Sequence, residues 1–258
     1  MMPEAELHRF RLSRTQTLSL VRGLTQDQLD SRPSRDRWSV GEVLDHLLLA
    51  ERFFRGDIQE LIARARAGLS PVLYRRLSEF NISPAFVPRP LLPYLEVPFM
   101  MISRFTPQPL RDLLLRTRLF PARHPDIAAP RWGRRADDLL EDLSTSLRET
   151  EDLLRANADL DYTAMRHVHP LLGSNSVPRL LHLLTLHEQR HQGQILDILR
   201  SLPPSPQTGR YYRQPPSVEK VCCVPRPQER TSHERRGQAD YLPVDGNRHR
   251  ASGADPRP

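Results

Sequence analysis

The stretch SVGEVLDHLLLAERFFRGDIQELIA, residues 39–63, contains the clearest helix of the chain. Ser39 and Glu42 have the spacing of a capping box, which marks a helix start. His46 lies inside the apolar stripe that follows, so we expect its ring to point toward the core. The stripe repeats every three or four residues through about residue 65, as a helix with one buried face requires, and consists of Val43, Leu44, Leu47, Ala50, Phe54, Ile58 and Leu61.

Three further segments, 4–24, 134–157 and 176–201, have the same helical periodicity. A second capping-box pattern at Thr25–Gln28 predicts a short turn of helix before the one at residue 39. No segment alternates apolar and polar residues as a strand would. The sequence therefore predicts an all-α fold, a four-helix bundle, with additional short helices at 73–80 and 110–119.

Proline divides this pattern into regions. Of the 25 prolines, ten lie between Pro84 and Pro130 and ten follow residue 202. Because proline interrupts helices and strands, we expect regular structure in 1–80 and 131–200. The bundle domain is predicted to span 1–202, with 84–130 as a long proline-rich connection that covers the bundle between its second and third helices. Residues 203–258 are predicted to be a disordered tail.

Composition excludes several classes of protein. The apolar runs are much shorter than the roughly 20 residues that span a bilayer, so we expect no membrane partner. No signal peptide is readable at the start, and two adjacent cysteines, Cys222 and Cys223, exclude a disulfide framework and favour a cytoplasmic location. The net charge is +7, but all 38 basic residues except Lys220 are arginine. That uniform bias resembles codon composition, so nucleic acid is not an expected partner. The alternative that the basic tail contacts nucleic acid stays open.

The positions of three histidines are the main indication of chemistry in this sequence. His187 and His191 are four residues apart on one helix face, and that face is otherwise apolar. Two neutral imidazoles inside a bundle need polar partners, which a divalent metal supplies to both at once. His46, on a facing helix, allows a site of three nitrogens with open positions, the arrangement that catalytic zinc uses. The alternative is a packed histidine pair on one helix and an ordinary core histidine on the other.

Two segments together resemble the DinB superfamily, which includes YfiT-like metal-dependent hydrolases. They are LTQDQLDSRPSRDRWSVGEVLDHLLLAERFF (24–54) and HVHPLLGSNSVPRLLHLLTLHEQRHQGQILDIL (167–199). The resemblance implies a bacterial four-helix bundle whose metal is bound by three histidines, here His46, His187 and His191. The implied cofactor is a divalent metal, zinc or nickel. The length of 84–130 and the tail after 202 depart from the family pattern, but neither removes a ligand.

The surroundings of these histidines are predicted less directly. Ligating imidazoles usually donate their second N–H to a carboxylate or carbonyl, and Glu42 and Gln194 are in reach. Alternatively Glu42 only closes its capping box and Gln194 is a boundary residue. Trp38 is expected to pack the end of the bundle. His167 and His169 are placed in a loop, with an approach to the metal as the alternative. The remaining histidines are expected at the surface or in the tail: His8, His124, His182, His233 and His249.

Two functions follow as hypotheses. The resemblance implies a metal-dependent hydrolase, or a transferase that acts with low-molecular-weight thiols such as bacillithiol or mycothiol, on a small-molecule substrate that enters near the proline-rich cover. No general base beyond the ligands is identifiable, so catalytic residues stay unassigned. The alternative is a non-catalytic, stress-associated bundle that forms a homodimer and holds a structural or vestigial metal.

Overall fold

The computed structural model describes residues 2–76, 92–116 and 128–202. Most of these residues are helical. The helices are α1 (Glu4–Val21), α2 (Gln26–Asp30), α3 (Val40–Arg66), α4 (Leu92–Phe105), α5 (Gln108–Arg116), α6 (Ala136–Arg155) and α7 (Val177–Ser201), and the strands are β1 (Val72–Tyr74), β2 (Arg166–His169) and β3 (Gly173–Asn175).

Four long helices, α1, α3, α6 and α7, pack against one another as a bundle. Each starts or ends close to the predicted position, and both predicted capping boxes, Thr25–Gln28 and Ser39–Glu42, are formed. The apolar stripes meet in two clusters of buried side chains. One cluster contains Leu44 and Ile195, and the other contains Leu61 and Leu180. The predicted all-α four-helix bundle is confirmed.

A small sheet beside the bundle was not predicted. β1 pairs in parallel with β2, with Leu73 opposite His167, and β2 pairs with β3 as an antiparallel hairpin that turns through Gly173. The prediction of a helix from Leu73 was therefore wrong at Leu73 and Tyr74, which belong to β1, and so was the expectation of a fold without strands. Strands of three or four residues are too short to show alternation, and a partner more than 90 residues away leaves no local signal.

The proline-rich connection contains two helices, whereas only the one from residue 110 was predicted there. Helix α4 includes Pro98, and α5 confirms the helix predicted from residue 110 as far as Arg116. Pro98 lies on the exposed side of α4, where a carbonyl left without its intrahelical donor can bond to water. α5 packs on α7, and α4 packs on β3.

Several expectations fall on residues that the structure does not describe. They include residues 77–80 and 117–119 of the two predicted short helices, five of the ten prolines of 84–130, and the tail after residue 202. Among the described helices, none is both long enough and apolar enough to cross a membrane.

Candidate metal centre

The structure brings His46 of α3 together with His187 and His191 of α7. The Nε2 atom of His187 lies 3.2 Å from Nε2 of His46 and 3.1 Å from Nε2 of His191. Among the described residues these three form the one group of histidine, cysteine and carboxylate side chains that could hold a metal ion, with ligand atoms all within 4.8 Å of one another. His46 and His191 are buried, while His187 is partly exposed.

Two of the three rings are oriented by a hydrogen bond at their other nitrogen. His46 donates from Nδ1 to the carbonyl oxygen of Ala128 at 2.8 Å, and His191 donates from Nδ1 to Oε1 of Gln194 at 2.9 Å. A carbonyl or amide oxygen only accepts, so each Nδ1 carries the proton. In a neutral ring the Nε2 atom then has a bare lone pair. Both lone pairs are directed at the same small space.

A divalent cation fits this donor set. Zinc bound tetrahedrally by imidazoles at about 2.0–2.1 Å places neighbouring nitrogens roughly 3.3 Å apart, close to the two distances observed. A single proton on His187 could serve only one of the two facing lone pairs, whereas a cation serves all three nitrogens. The arrangement therefore has the protonation and spacing of a metal site with three protein ligands.

The central histidine is neutral under physiological conditions. Burial, followed by the neighbouring His191 and His46 rings and the Arg190 side chain, lowers the pKa of His187 well below its usual value. A lowered pKa keeps this ring neutral at neutral pH, so that one of its two nitrogens has a free lone pair, as coordination requires.

Trp38 lies against the centre as well as at the end of the bundle. Its ring centroid is 5.0 Å from that of His46 and 6.4 Å from that of His191, and its side chain also packs on the core cluster around Leu44. The expectation that Trp38 only packs the end of the bundle was too narrow. Its indole shields one side of the imidazoles from water.

Of the two predicted imidazole partners, one is present. Gln194 orients His191, as the spacing of three residues on α7 indicated. Glu42 instead accepts from the backbone N–H of Ser39 and pairs with Arg32, so it closes the capping box. The partner of His46 is the backbone carbonyl of Ala128, which has no side-chain signal in the sequence.

Asp45 holds the segment that carries this carbonyl. Its side chain is fully buried; Oδ2 accepts from the backbone N–H of Arg131 at 2.7 Å, and Oδ1 pairs with Arg134 at 2.7 Å. Sequence reasoning missed this pair. The available signal was a carboxylate next to a predicted ligand at the start of a helix, with arginines following the proline-rich region.

A buried polar cluster lies beside the ligands on the α1 side of α7. Arg14 is 1% exposed and pairs with Glu51 of α3 at 2.9 Å and with Glu188 of α7 at 2.7 Å. Thr150 of α6 donates to Glu51, so one group connects all four bundle helices. Burial, partly offset by Arg14, raises the pKa of Glu188. The sequence predicted the helix that carries Arg14 but did not indicate the partners of this side chain.

The other histidines lie outside the centre. His167 and His169 are buried in β2, where His167 pairs with Asp57 at 2.9 Å and His169 accepts the backbone N–H groups of Leu171 and Leu172 at Nδ1. Neither belongs to the three-histidine group. His8 is exposed, as predicted.

His182, predicted to face solvent, is instead half-buried between two acids. Its ring nitrogens lie 3.5 Å from a carboxylate oxygen of Glu6 and 3.4 Å from one of Asp112. His124 and the two tail histidines lie outside the described residues.

Comparison with known proteins gives one match, to a family model. Neither the curated proteins nor the solved structures contain a match to the chain. The family model of the DinB superfamily matches residues 9–195, a range that includes all three clustered histidines and most of the four bundle helices. With that range covering well over half of its length, the chain belongs to the DinB superfamily.

Proposed function

We propose that the protein is a divalent-metal-dependent enzyme of hydrolase or thiol S-transferase type, with His46, His187 and His191 as the metal ligands. One observation carries the proposal. Nε2 of His187 lies 3.1–3.2 Å from Nε2 of His46 and of His191, while hydrogen bonds at Nδ1 turn the lone pairs of His46 and His191 toward the same point. Imidazole nitrogens that converge in this way lose their hydration, and this loss is unfavourable unless a cation binds at the point where they meet.

Three protein ligands leave a coordination position for a small molecule. A cation bound there would act as a Lewis acid and lower the pKa of a water or thiol that binds in that position. The side chains of this chain contribute orientation and a dry environment. Ala128 and Gln194 fix two rings, Trp38 covers them, and His187 stays neutral.

The carboxylates next to the ligands are engaged elsewhere. Asp45 is held by Arg131 and Arg134, and Glu188 is paired with Arg14. Within the described ranges no third acid joins the histidine group. We therefore assign no general base, and the proposed reaction is one in which the nucleophile is a water or a low-molecular-weight thiol activated at the open position.

The three imidazole nitrogens restrict the choice of metal to cations that prefer nitrogen ligands. Three imidazoles without carboxylate or thiolate suit zinc, nickel, iron or copper more than magnesium or calcium, and zinc or nickel is our proposal. The two-cysteine composition supports a reducing, cytoplasmic setting, where small thiols are available as cosubstrates.

Elemental analysis of the purified full-length chain tests the ligand assignment. We expect about one divalent metal per chain, retained after dialysis. His46→Ala, His187→Ala and His191→Ala are each expected to lose it, while His182→Ala, a change on the same helix outside the centre, keeps it. Retention of the metal by all three ligand variants, or its absence from the unaltered chain, would contradict the assignment.

Turnover separates the enzyme from the non-catalytic alternative. The metal-loaded chain is assayed with ester and amide substrates, and with electrophilic acceptors in the presence of small thiols. Turnover that disappears in His187→Ala supports the enzyme. A metal that joins α3 to α7 could also act only as a structural link, and the expected signature of that function is a higher melting temperature with metal and no turnover in any assay.

A further inference from the structure

Exposed apolar side chains are concentrated on the two helices of the proline-rich connection. The described chain has 13 large hydrophobic residues with substantial exposure, and eight of them belong to α4 and α5. We call these eight the insert face: Tyr94, Val97, Met100, Met101, Ile102, Phe105, Leu110 and Leu113. A patch of this kind on a folded protein generally marks an interaction site.

Helix α4 has the polarity opposite to that of a surface helix. Tyr94, Val97, Met101 and Phe105 are spaced by three and four residues, so they form one outward stripe, and they are 50–79% exposed. On the other side of the helix Ser103 is buried. A helix that turns an apolar stripe outward and a serine inward is only half-packed by its own chain.

The insert face is held in place by polar contacts with the bundle. Arg111 donates to the carbonyl oxygen of Leu172 at 2.8 Å, and Asp112 pairs with Arg179 of α7. At Gly173 an added Cβ would lie 2.8 Å from Oγ of Ser103, so the hairpin turn and α4 are in close contact. The apolar stripe is thus presented on an anchored support.

We propose that the insert face binds the insert face of a second copy of this chain, which forms a two-fold symmetric homodimer. An apolar stripe is complementary to itself, as an interface between identical patches requires. Eight side chains that are roughly half to three-quarters exposed offer on the order of 800 Å² per partner, the area of a standard stable interface. The proposal assigns a surface to the dimer and does not depend on the metal centre.

Charge favours a protein partner over a lipid surface. Arg111 and Asp112, the charged pair in the middle of α5, both bond to the bundle. Among the side chains of the two helices that the structure describes, the one exposed cation is Arg116 at the end of α5, so the described part of the face is mostly apolar and not the mixed basic and apolar surface that binds anionic lipid.

Sedimentation velocity of the full-length chain between 1 and 100 µM tests the proposal. We expect a monomer–dimer equilibrium or a stable dimer. Met101→Glu and Phe105→Glu should each raise the dissociation constant at least 30-fold, because a buried unpaired carboxylate disrupts the middle of an interface. Leu12→Glu and Leu69→Glu, at equally exposed positions away from the face, should leave it within a factor of three. Thermal unfolding of each variant checks that it is folded.

Three results would overturn the proposal. One is a chain that stays monomeric at 100 µM. That result is also expected if another part of the same chain covers the insert face. Another is a dimer that the Leu12 and Leu69 variants weaken as much as the Met101 and Phe105 variants do. The third is binding of the monomer to vesicles of 30% phosphatidylserine that Met101→Glu abolishes, since that would make a lipid the occupant.

Discussion

The buried carboxylate of Asp45 accepts a hydrogen bond from the backbone N–H of Arg131, with an oxygen–nitrogen distance of 2.7 Å. Asp45 directly precedes His46 on α3, and Arg131 follows Ala128 by three residues. One bond therefore fixes both sides of the contact between the Ala128 carbonyl and Nδ1 of His46. We therefore expect Asp45 to hold the His46 ring in its orientation without any direct contact to the proposed metal position.

Replacing Asp45 should weaken metal binding. We expect Asp45→Ala to reduce the affinity for zinc by about 10- to 100-fold, the usual effect of losing support around a ligating histidine. Arg134→Met is the control, since it leaves the bond to Arg131 but deprives Asp45 of its ion pair. It should lower the free energy of unfolding by about 3 kcal/mol and change zinc affinity less than five-fold. Competition with a chromogenic chelator measures the affinities, and equal losses in both variants would contradict a specific effect of Asp45.

Gln194 should act on the centre through His191 alone. Gln194→Leu removes the acceptor for Nδ1, and we expect zinc affinity to fall about 10-fold or more. Gln194→Glu keeps an acceptor oxygen and should retain or strengthen binding, because a carboxylate makes the imidazole a better donor of its lone pair. The same chelator competition distinguishes the two. Similar affinities for the leucine and glutamate variants would show that the observed bond does not orient the ring.

The three-histidine cluster could be predicted from the sequence because helical periodicity is a local property. His187 and His191 are four residues apart, so they share a face of α7 wherever that helix lies. His46 lies in the apolar stripe of α3, and a stripe must face the core. The convergence of the three rings then needs only that α3 packs on α7, as it does in the structure.

The support around the ligands could not be predicted in the same way. The Ala128 carbonyl has no residue-type signal, and the Asp45–Arg134 pair joins positions 89 residues apart. Arg14 lies on the predicted helix α1, but its partners Glu51 and Glu188 lie on two other helices. Such contacts depend on the angle and register of helix packing, which the periodicity of one helix does not specify.

Arg14 should be essential for stability. Arg14→Met leaves Glu51 and Glu188 buried without their cation, and we expect the free energy of unfolding to fall by about 3–5 kcal/mol. Arg11→Met on the same helix removes a pair with Glu151 in which the arginine is substantially exposed, so it should cost no more than about 1 kcal/mol. Urea unfolding at pH 7 measures both. A loss below about 1 kcal/mol for Arg14→Met would show that the buried carboxylates find other partners or become protonated at little cost.

Acid should destabilise the fold through His169. Burial, with a smaller contribution from His167, lowers the pKa of His169 to about 3, whereas the unfolded chain protonates this ring near pH 6.5. Below pH 6.5 the unfolded state therefore binds a proton that the folded state does not. The contribution of His169 to stability is complete above pH 6.5 and is lost as the pH falls toward 3, at about 1.4 kcal/mol per pH unit.

His169→Asn isolates this contribution. The asparagine oxygen can still accept the backbone N–H groups of Leu171 and Leu172 that Nδ1 accepts now, but it does not titrate. Between pH 6.5 and 4.5 the free energy of unfolding of the unaltered chain should fall about 2 kcal/mol further than that of the variant, as measured by urea unfolding in the presence of a chelator. The chelator removes metal from both proteins, and the carboxylates that titrate in this range are common to both, so the difference reports His169. Parallel pH profiles would mean that His169 becomes protonated inside the folded protein as easily as outside it, which its burial in β2 should prevent.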